Sequence, residues 1–129
     1  IVLALQTIVS RNADPVQQLV VSVTSFRTSS EAFNVIPSRV TLRGTVRTLS
    51  RDLREMAGAR LKAICEATAM AHGAQAHVDW RRGYPVMANH PDQTGYARDV
   101  ATMIAGSCDE APLVMGGEGF AYMLEERPG

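Results

Sequence analysis

The sequence lacks the features that define several classes of protein. No apolar run approaches the roughly 20 residues that a helix needs to cross a bilayer, so no membrane partner is expected. The first residues have no signal-peptide layout. Only 5% of the residues are aromatic, and RNA-recognition sheets need aromatic side chains on their strands for base stacking. A nucleic-acid module is therefore disfavoured, although it stays open as an alternative.

Motifs for metal binding and for nucleophilic catalysis are also missing. His72, His77 and His90 do not lie at metal-ligand spacing, and there is no H-E-x-x-H pair or paired C-x-x-C. No G-x-S-x-G elbow occurs. The two cysteines, Cys65 and Cys108, show no pairing signature, which is typical of reduced thiols in a cytoplasmic protein. The sequence predicts no metal site made wholly within these 129 residues.

Charge is unevenly distributed along a chain whose formal net charge is zero. Residues 1–88 carry 11 Lys+Arg and 6 Asp+Glu, a balance of +5, whereas residues 89–129 carry 2 and 7, a balance of −5. An excess of arginine can attract an anionic ligand, but a solvated basic surface produces the same excess. The hydrophobic fraction of 46% is that of a globular protein and argues against disorder.

The periodicity of apolar residues predicts an α+β fold in the first two thirds of the chain. It predicts, in order, a helix over 1–11, strands over 19–26 and 40–47, a helix over 50–73 and a strand over 74–80. One further strand before Ile1 would complete a ferredoxin-like split β-α-β unit, an antiparallel sheet with two helices on one face. We therefore expect the chain to be a fragment of a longer protein, with the first strand of this domain missing.

The pattern changes after Gly83, where a proline-bounded connector, residues 84–91, marks the expected domain boundary. The following helix is expected to end at Gly106 and to bury four apolar side chains, those of Tyr96, Val100, Met103 and Ile104. A short strand from Val114 into a glycine-rich turn, and a helix from Phe120, complete the prediction. Residues 1–83 are assigned to one domain, and residues 84–129 to part of a second, α/β domain.

Three short segments contain candidate functional residues. Asn34 precedes the strand that ends near Arg47, and a half-buried strand explains the alternation of this segment without any function. Arg82 could bind a carboxylate through its guanidinium fork, or belong to a solvated arginine pair. Gly116 and Gly117 could bind an anion through backbone N–H groups, or simply form a turn.

Five segments, taken together and in order, resemble one protein family. They are Leu3–Asn12, Phe33–Pro37, Leu42–Arg47, Arg81–Pro85 with Asn89–Pro91, and Met115–Glu118. The family is the amidohydrolase branch of the aminoacylase/carboxypeptidase metallopeptidases, which includes hippurate hydrolases and indole-acetyl-amino-acid hydrolases. The resemblance runs along essentially the whole chain. In one place the chain differs from the family, because Gly119 stands where an Asp usually follows the Glu.

The resemblance implies a metal-dependent enzyme that cleaves the amide bond of N-acyl amino acids or small peptides, such as hippurate-like substrates. It implies a two-metal centre, with Zn or Mn as the divalent ions, whose ligands lie outside this fragment. Residues 1–83 would be most of a lid that also forms a homodimer, and residues 84–129 would be the return of the chain into the catalytic domain. The fragment by itself is expected to be inactive.

Five residues match positions of the family's site. Asn34 matches a lid Asn that contacts substrate and could stabilise an oxyanion, Arg47 matches an Arg at the end of the following strand, and Arg82 matches the Arg that holds the substrate carboxylate. Gly116 and Gly117 match a glycine loop that lines the catalytic cleft. The alternative function is a non-catalytic dimerisation module.

Overall fold

The computed structural model describes all residues from 1 to 129, and it divides into two compact units. The N-terminal unit is Ile1–Trp80 and the C-terminal unit is Arg81–Gly129. The elements in chain order are α1 (Val2–Leu5), a one-turn π-helix (Ile8–Asn12), β1 (Leu19–Thr28), β2 (Val40–Thr48), α2 (Arg51–Ala71), α3 (Pro91–Ala105) and α4 (Phe120–Glu126). The α+β class is confirmed, and the N-terminal unit is compatible with a partial ferredoxin-like domain.

The first helix is less regular than its apolar periodicity predicts. The segment 1–11 is divided between α1 and the π-helix, where Ala13 N–H donates to the Ile8 carbonyl at 3.1 Å. The Thr7 hydroxyl donates to the Ala4 carbonyl at 2.7 Å, a side-chain bond to the backbone of the kind that bends helices. Leu5 and Ile8 are nevertheless buried, as the predicted apolar stripe requires.

Helix α2 is fixed by interactions that its local sequence predicts. The Ser50 hydroxyl accepts a hydrogen bond from Leu53 N–H at 3.3 Å, the expected N-cap, and Asp52 lies in the first turn. Gly73 follows the helix with a left-handed φ of +68°. The predicted inward face is confirmed at Leu53 and Cys65, but Ala71 is exposed, and Ala69 is the buried residue of the last turn.

The sheet consists of β1 and β2, which pair antiparallel from Leu19↔Thr48 to Thr28↔Val40. The register shifts between Val23 and Ser25, and this bulge places the Thr24 hydroxyl 3.4 Å from the Arg43 carbonyl. α1, the π-helix and α2 pack together against this hairpin. One core results, formed by the side chains of Leu5, Ile8, Leu19, Val21, Leu53, Ala57 and Cys65.

The strand predicted over residues 74–80 is wrong, because this segment has no strand pairing. Its alternation still has a physical basis, since Ala76 and Val78 are half-buried against the core and Trp80 lies against Gly58 of α2. Packing on a helix needs only side chains of the right polarity. A strand also needs a neighbour for its backbone hydrogen bonds, and no strand of this chain pairs with residues 74–80.

The C-terminal unit contains α3 and α4 and long irregular segments. The short strand predicted from Val114 is wrong, since residues 107–118 have no regular secondary structure. α3 ends at Gly106 as predicted, with a left-handed φ of +81°. The buried side chains of α4 are those of Ala121 and Leu124.

The prediction that α3 buries Tyr96, Val100, Met103 and Ile104 is also wrong. These side chains are 53–83% exposed, and no residue of α3 is buried. The apolar pattern correctly predicts a helix with an apolar stripe, but the C-terminal unit has no element that covers it. The stripe remains on the surface of this chain.

The two cysteines provide a direct test of this packing. Cys65 is buried in the core, and burial raises the pKa of its thiol above the ordinary 9.0, whereas Cys108 is exposed. Because the thiolate is the reactive form, we expect Ellman's reagent to modify Cys108 at least about 100-fold faster than Cys65 in the native 129-residue chain. In denaturant the two rates should converge. Equal native rates would contradict the packing of α2 on the sheet.

Candidate functional site

The glycine-rich loop of the C-terminal unit lies against the tyrosine that follows Arg82 and Gly83. A Cβ built on Gly117 would be 2.6 Å from Cδ2 of Tyr84, which is closer than real Cβ contacts allow. A residue with a side chain at position 117 would therefore displace the ring. Gly116 meets no atom within 4 Å of its Cβ position, so the close approach is specific to Gly117.

Helix α4 holds the same segment from a second direction. The Tyr122 hydroxyl donates to the Gly83 carbonyl at 3.3 Å, and the rings of Tyr84 and Tyr122 are 5.7 Å apart at an interplanar angle of 57°. This is a tilted aromatic pair of the favourable kind. The backbone immediately after Arg82 and the loop at Gly117 are thus joined through two tyrosines. Two of the predicted site segments, which are over 30 residues apart in sequence, belong to one cluster.

A further pair of hydrogen bonds joins the start of α3 to Gly129. His90 N–H donates to the Gly129 carbonyl at 2.8 Å, and Gly129 N–H donates to His90 Nδ1 at 3.3 Å. This two-bond contact ties His90 to Gly129. Its role is to hold backbone in place, and none of the predicted site residues takes part in it.

In the N-terminal unit, Asn34 lies in the loop that joins β1 to β2. The base of this loop is closed by Ser29 N–H donating to the Arg39 carbonyl at 3.0 Å and by Arg39 N–H donating to Ser29 Oγ at 3.2 Å. The turn that contains Asn34 has one further backbone bond, from Val35 N–H to the Ala32 carbonyl. Asn34 is exposed, and the neighbouring Phe33 side chain is fully exposed. The hydrogen bonds at the base of the loop therefore hold the amide of Asn34 and the ring of Phe33 on the surface of the unit.

Arg47 is not brought near Asn34. It lies on the exposed face of β2 opposite Val20, near the end of the hairpin that is remote from the loop. At about 3.3 Å per residue, the seven steps from Val40 to Arg47 span on the order of 20 Å. Asn34 and Arg47 therefore do not act on one small group from within this unit.

The N-terminal unit also contains a shallow groove of about 260 Å³ between α2 and residues 74–80, lined by Glu55, Gly58, Ala59, Lys62, Val78 and Trp80. None of the predicted site residues lines it. No three His, Cys, Asp or Glu side chains of the chain come together where they could hold a metal ion. The resemblance implies a two-metal centre whose ligands lie outside this chain, and the residues present here do not form one by themselves.

Comparison with known proteins gives matches along the whole chain. It is 37% identical over 129 residues to the N-acetyl-L-cysteine deacetylase of Bacillus subtilis, a match that covers 100% of this chain and 31% of that protein. It is 33% identical to the hippurate hydrolase of Campylobacter jejuni, over 97% of this chain and 33% of that protein. The chain is homologous to these amidohydrolases. This confirms the resemblance seen in the sequence motifs.

A solved structure supports the same homology. A protein described as an aminohydrolase, from methicillin-resistant Staphylococcus aureus, matches 98% of this chain and 33% of its own chain, with a TM-score of 0.79 and 31% identity. The segment spans about a third of the length of the relatives it matches. No family model matches the chain. None of its helices combines the length and the apolar character that crossing a membrane requires.

Sequence motifs did not reveal Tyr84 and Tyr122 as part of the cluster. Tyr84 lies inside the motif Arg81–Pro85, but nothing in a linear sequence indicates which glycine its ring will meet. The one available signal was the absence of a side chain at Gly117, which leaves room for a ring. Contacts between segments so far apart depend on the tertiary fold.

Proposed function

We propose that residues 1–129 form the lid and an adjoining catalytic-domain segment of a longer amidohydrolase that cleaves the amide bond of N-acyl amino acids. The observation that carries the proposal is the homology over the whole chain to enzymes named for N-acetyl-L-cysteine and for hippurate. N-acetyldiaminopimelate deacetylases are further relatives, for example that of Enterococcus faecalis, 36% identical over 127 residues. All three names describe an acyl group on the amine of an amino acid.

In this proposal the C-terminal unit binds the free carboxylate of the substrate. Arg82 supplies the guanidinium, because a charge-assisted fork is the strongest neutral-pH partner that a side chain offers to a carboxylate. The loop of Gly116 and Gly117 lines the cleft beside it, where the absence of side chains lets substrate approach the backbone. The Tyr84 contact with Gly117 supports this assignment, because it holds the loop against the segment that contains Arg82.

The N-terminal unit is proposed to act as the lid. Asn34 would meet the scissile carbonyl when the lid closes, and its amide N–H would stabilise the developing oxyanion. The exposed Phe33 beside it supports a role for this loop in a contact that excludes water. Arg47 is proposed to bind substrate from a different position, and the lid is proposed to form the homodimer. The divalent metal ions would be held by residues outside this chain.

Hydrolysis assays of the full-length protein test this function. We expect amine release from N-acetyl and N-benzoyl amino acids, with the preferred acyl group deciding between deacetylase-like and hippurate-like specificity. The 129-residue chain is expected to release no amine under the same conditions, since it holds no metal site. A full-length protein that hydrolyses neither class of substrate, with metal supplied, would contradict the proposal.

A further inference from the structure

We propose that Tyr122 is a positioning residue that acts on substrate binding through Arg82, with Tyr84 and Gly117 as the other parts of the same device. This inference rests on the proposed function, in which Arg82 binds the carboxylate. The four residues are called the tyrosine clamp below. Arg82 and Gly117 belong to the site that sequence motifs predict, whereas Tyr84 and Tyr122 do not.

The first part of the argument is the irregular backbone around Arg82. Residues 81–90 have no regular secondary structure, so no helix or sheet ladder fixes the direction in which Arg82 leaves the chain. A guanidinium that binds a carboxylate at two points needs a defined position, because both hydrogen bonds depend on its plane. Some other contact must therefore hold this backbone. One such contact lies at the adjoining residue, where the Gly83 carbonyl accepts a hydrogen bond from the Tyr122 hydroxyl.

The second part of the argument is that this contact with Gly83 comes from a regular helix, α4. Tyr122 lies in the first turn of α4, whose Ala121 and Leu124 are buried, so the helix is anchored within the C-terminal unit. Its hydroxyl reaches back 39 residues to Gly83, and its ring meets that of Tyr84. A helix thus imposes its position on the segment that follows Arg82.

The third part is the glycine loop. Tyr84 fills the space where a side chain at position 117 would lie, so the loop and the segment after Arg82 must move together. Both pieces are proposed to face the substrate. The tyrosine clamp therefore fixes the distance between the carboxylate-binding arginine and the wall of the cleft, which sets the size of the amino-acid part that fits.

The test is a double-mutant cycle in the full-length, metal-loaded enzyme. Tyr122→Phe removes the hydroxyl and keeps the ring, and we expect it to raise KM for an N-acyl amino acid about three- to tenfold, the range that loss of one such hydrogen bond gives, with little change in kcat. For the corresponding N-acyl amino-acid amide, which lacks the carboxylate, KM should not change. In the Arg82→Ala background, adding Tyr122→Phe should have no further effect, since the residues act as one unit.

Matched controls separate this role from a general loss of stability. Tyr96→Phe removes a hydroxyl from an exposed tyrosine of α3 and should leave both KM values unchanged. Gly117→Ala should reproduce the KM effect because its Cβ displaces the Tyr84 ring, whereas Gly95→Ala, which meets no atom within 4 Å, should not. Thermal unfolding of each variant shows whether the fold is retained.

Two outcomes distinguish failure of this inference from failure of the proposed function. If Arg82→Ala raises KM for the acid and Tyr122→Phe does not, the positioning role of Tyr122 is wrong, and the carboxylate role of Arg82 is retained. If Arg82→Ala has no effect that depends on the carboxylate, the proposed function of Arg82 is wrong. The positioning role of Tyr122 is then wrong as well, because it acts through Arg82. Additive effects of Arg82→Ala and Tyr122→Phe would also overturn the inference.

Discussion

Replacing Arg82 with alanine in the full-length enzyme is expected to raise KM for N-acyl amino acids by about 30- to 150-fold. The estimate follows from losing a charge-assisted, two-point contact, which contributes about 2–3 kcal/mol in binding sites. kcat should change much less, because in the proposed function Arg82 binds the carboxylate equally in the ground state and in the transition state. Steady-state kinetics with the acid and with its amide measure the effect, and only the acid should show it.

The neighbouring Arg81 offers a matched control for this prediction. It has the same side chain and is likewise exposed, but it does not match the family's carboxylate position. Arg81→Ala should change KM by less than about threefold, the scale of an exposed charge. Arg82→Lys keeps the charge and loses the fork, and should give an intermediate KM. Equal effects at positions 81 and 82 would indicate a general electrostatic attraction and would contradict a specific site.

Replacing Asn34 is expected to have the second large effect, and to lower kcat. Removal of one oxyanion donor reduces kcat by about 10²- to 10³-fold in enzymes that use such a donor. Asn34→Ala removes the amide, and Asn34→Asp keeps its shape while replacing the N–H donor with a carboxylate oxygen. Both variants should lose kcat with KM nearly unchanged, as measured by saturation kinetics of the full-length enzyme.

The loop that contains Asn34 provides the control for this second prediction. Glu31 is exposed in the same loop, and Glu31→Ala should leave kcat within about twofold of the unaltered enzyme, as expected for surface substitutions. If Asn34→Ala raises KM and leaves kcat intact, Asn34 contacts substrate without stabilising the transition state. That result would remove the oxyanion role and keep the lid contact.

Local sequence was sufficient where structure depends on neighbours in the chain. The Ser50 cap, the glycine stops after α2 and α3, and the apolar faces of Leu5, Ile8 and Leu53 follow from hydrogen bonds and periodicity within a few residues. Each is confirmed in the fold. These features need no knowledge of what else packs against the element.

Sequence was insufficient where structure depends on a partner element. Residues 74–80 have the alternation of a strand but no strand beside them, and the stripe of Tyr96 and Val100 on α3 has no cover within this chain. Both patterns describe surfaces suited to burial, and neither determines what buries them. The contact of Tyr84 with Gly117 likewise depends on the tertiary fold and not on local sequence. The site residues matched by motif stay predictions, and the tyrosines that contact their segments could not be found from the motifs.

The most direct test of the central claim is a comparison of two substrates with the unaltered full-length enzyme. The claim is that this segment recognises the free carboxylate of an N-acyl amino acid through Arg82. kcat/KM should be measured for an N-acyl amino acid and for its C-terminal amide at one pH and one metal concentration. We predict that the acid is preferred by about 100-fold, the value of a charge-assisted pair. Equal kcat/KM values for the acid and the amide would contradict the claim.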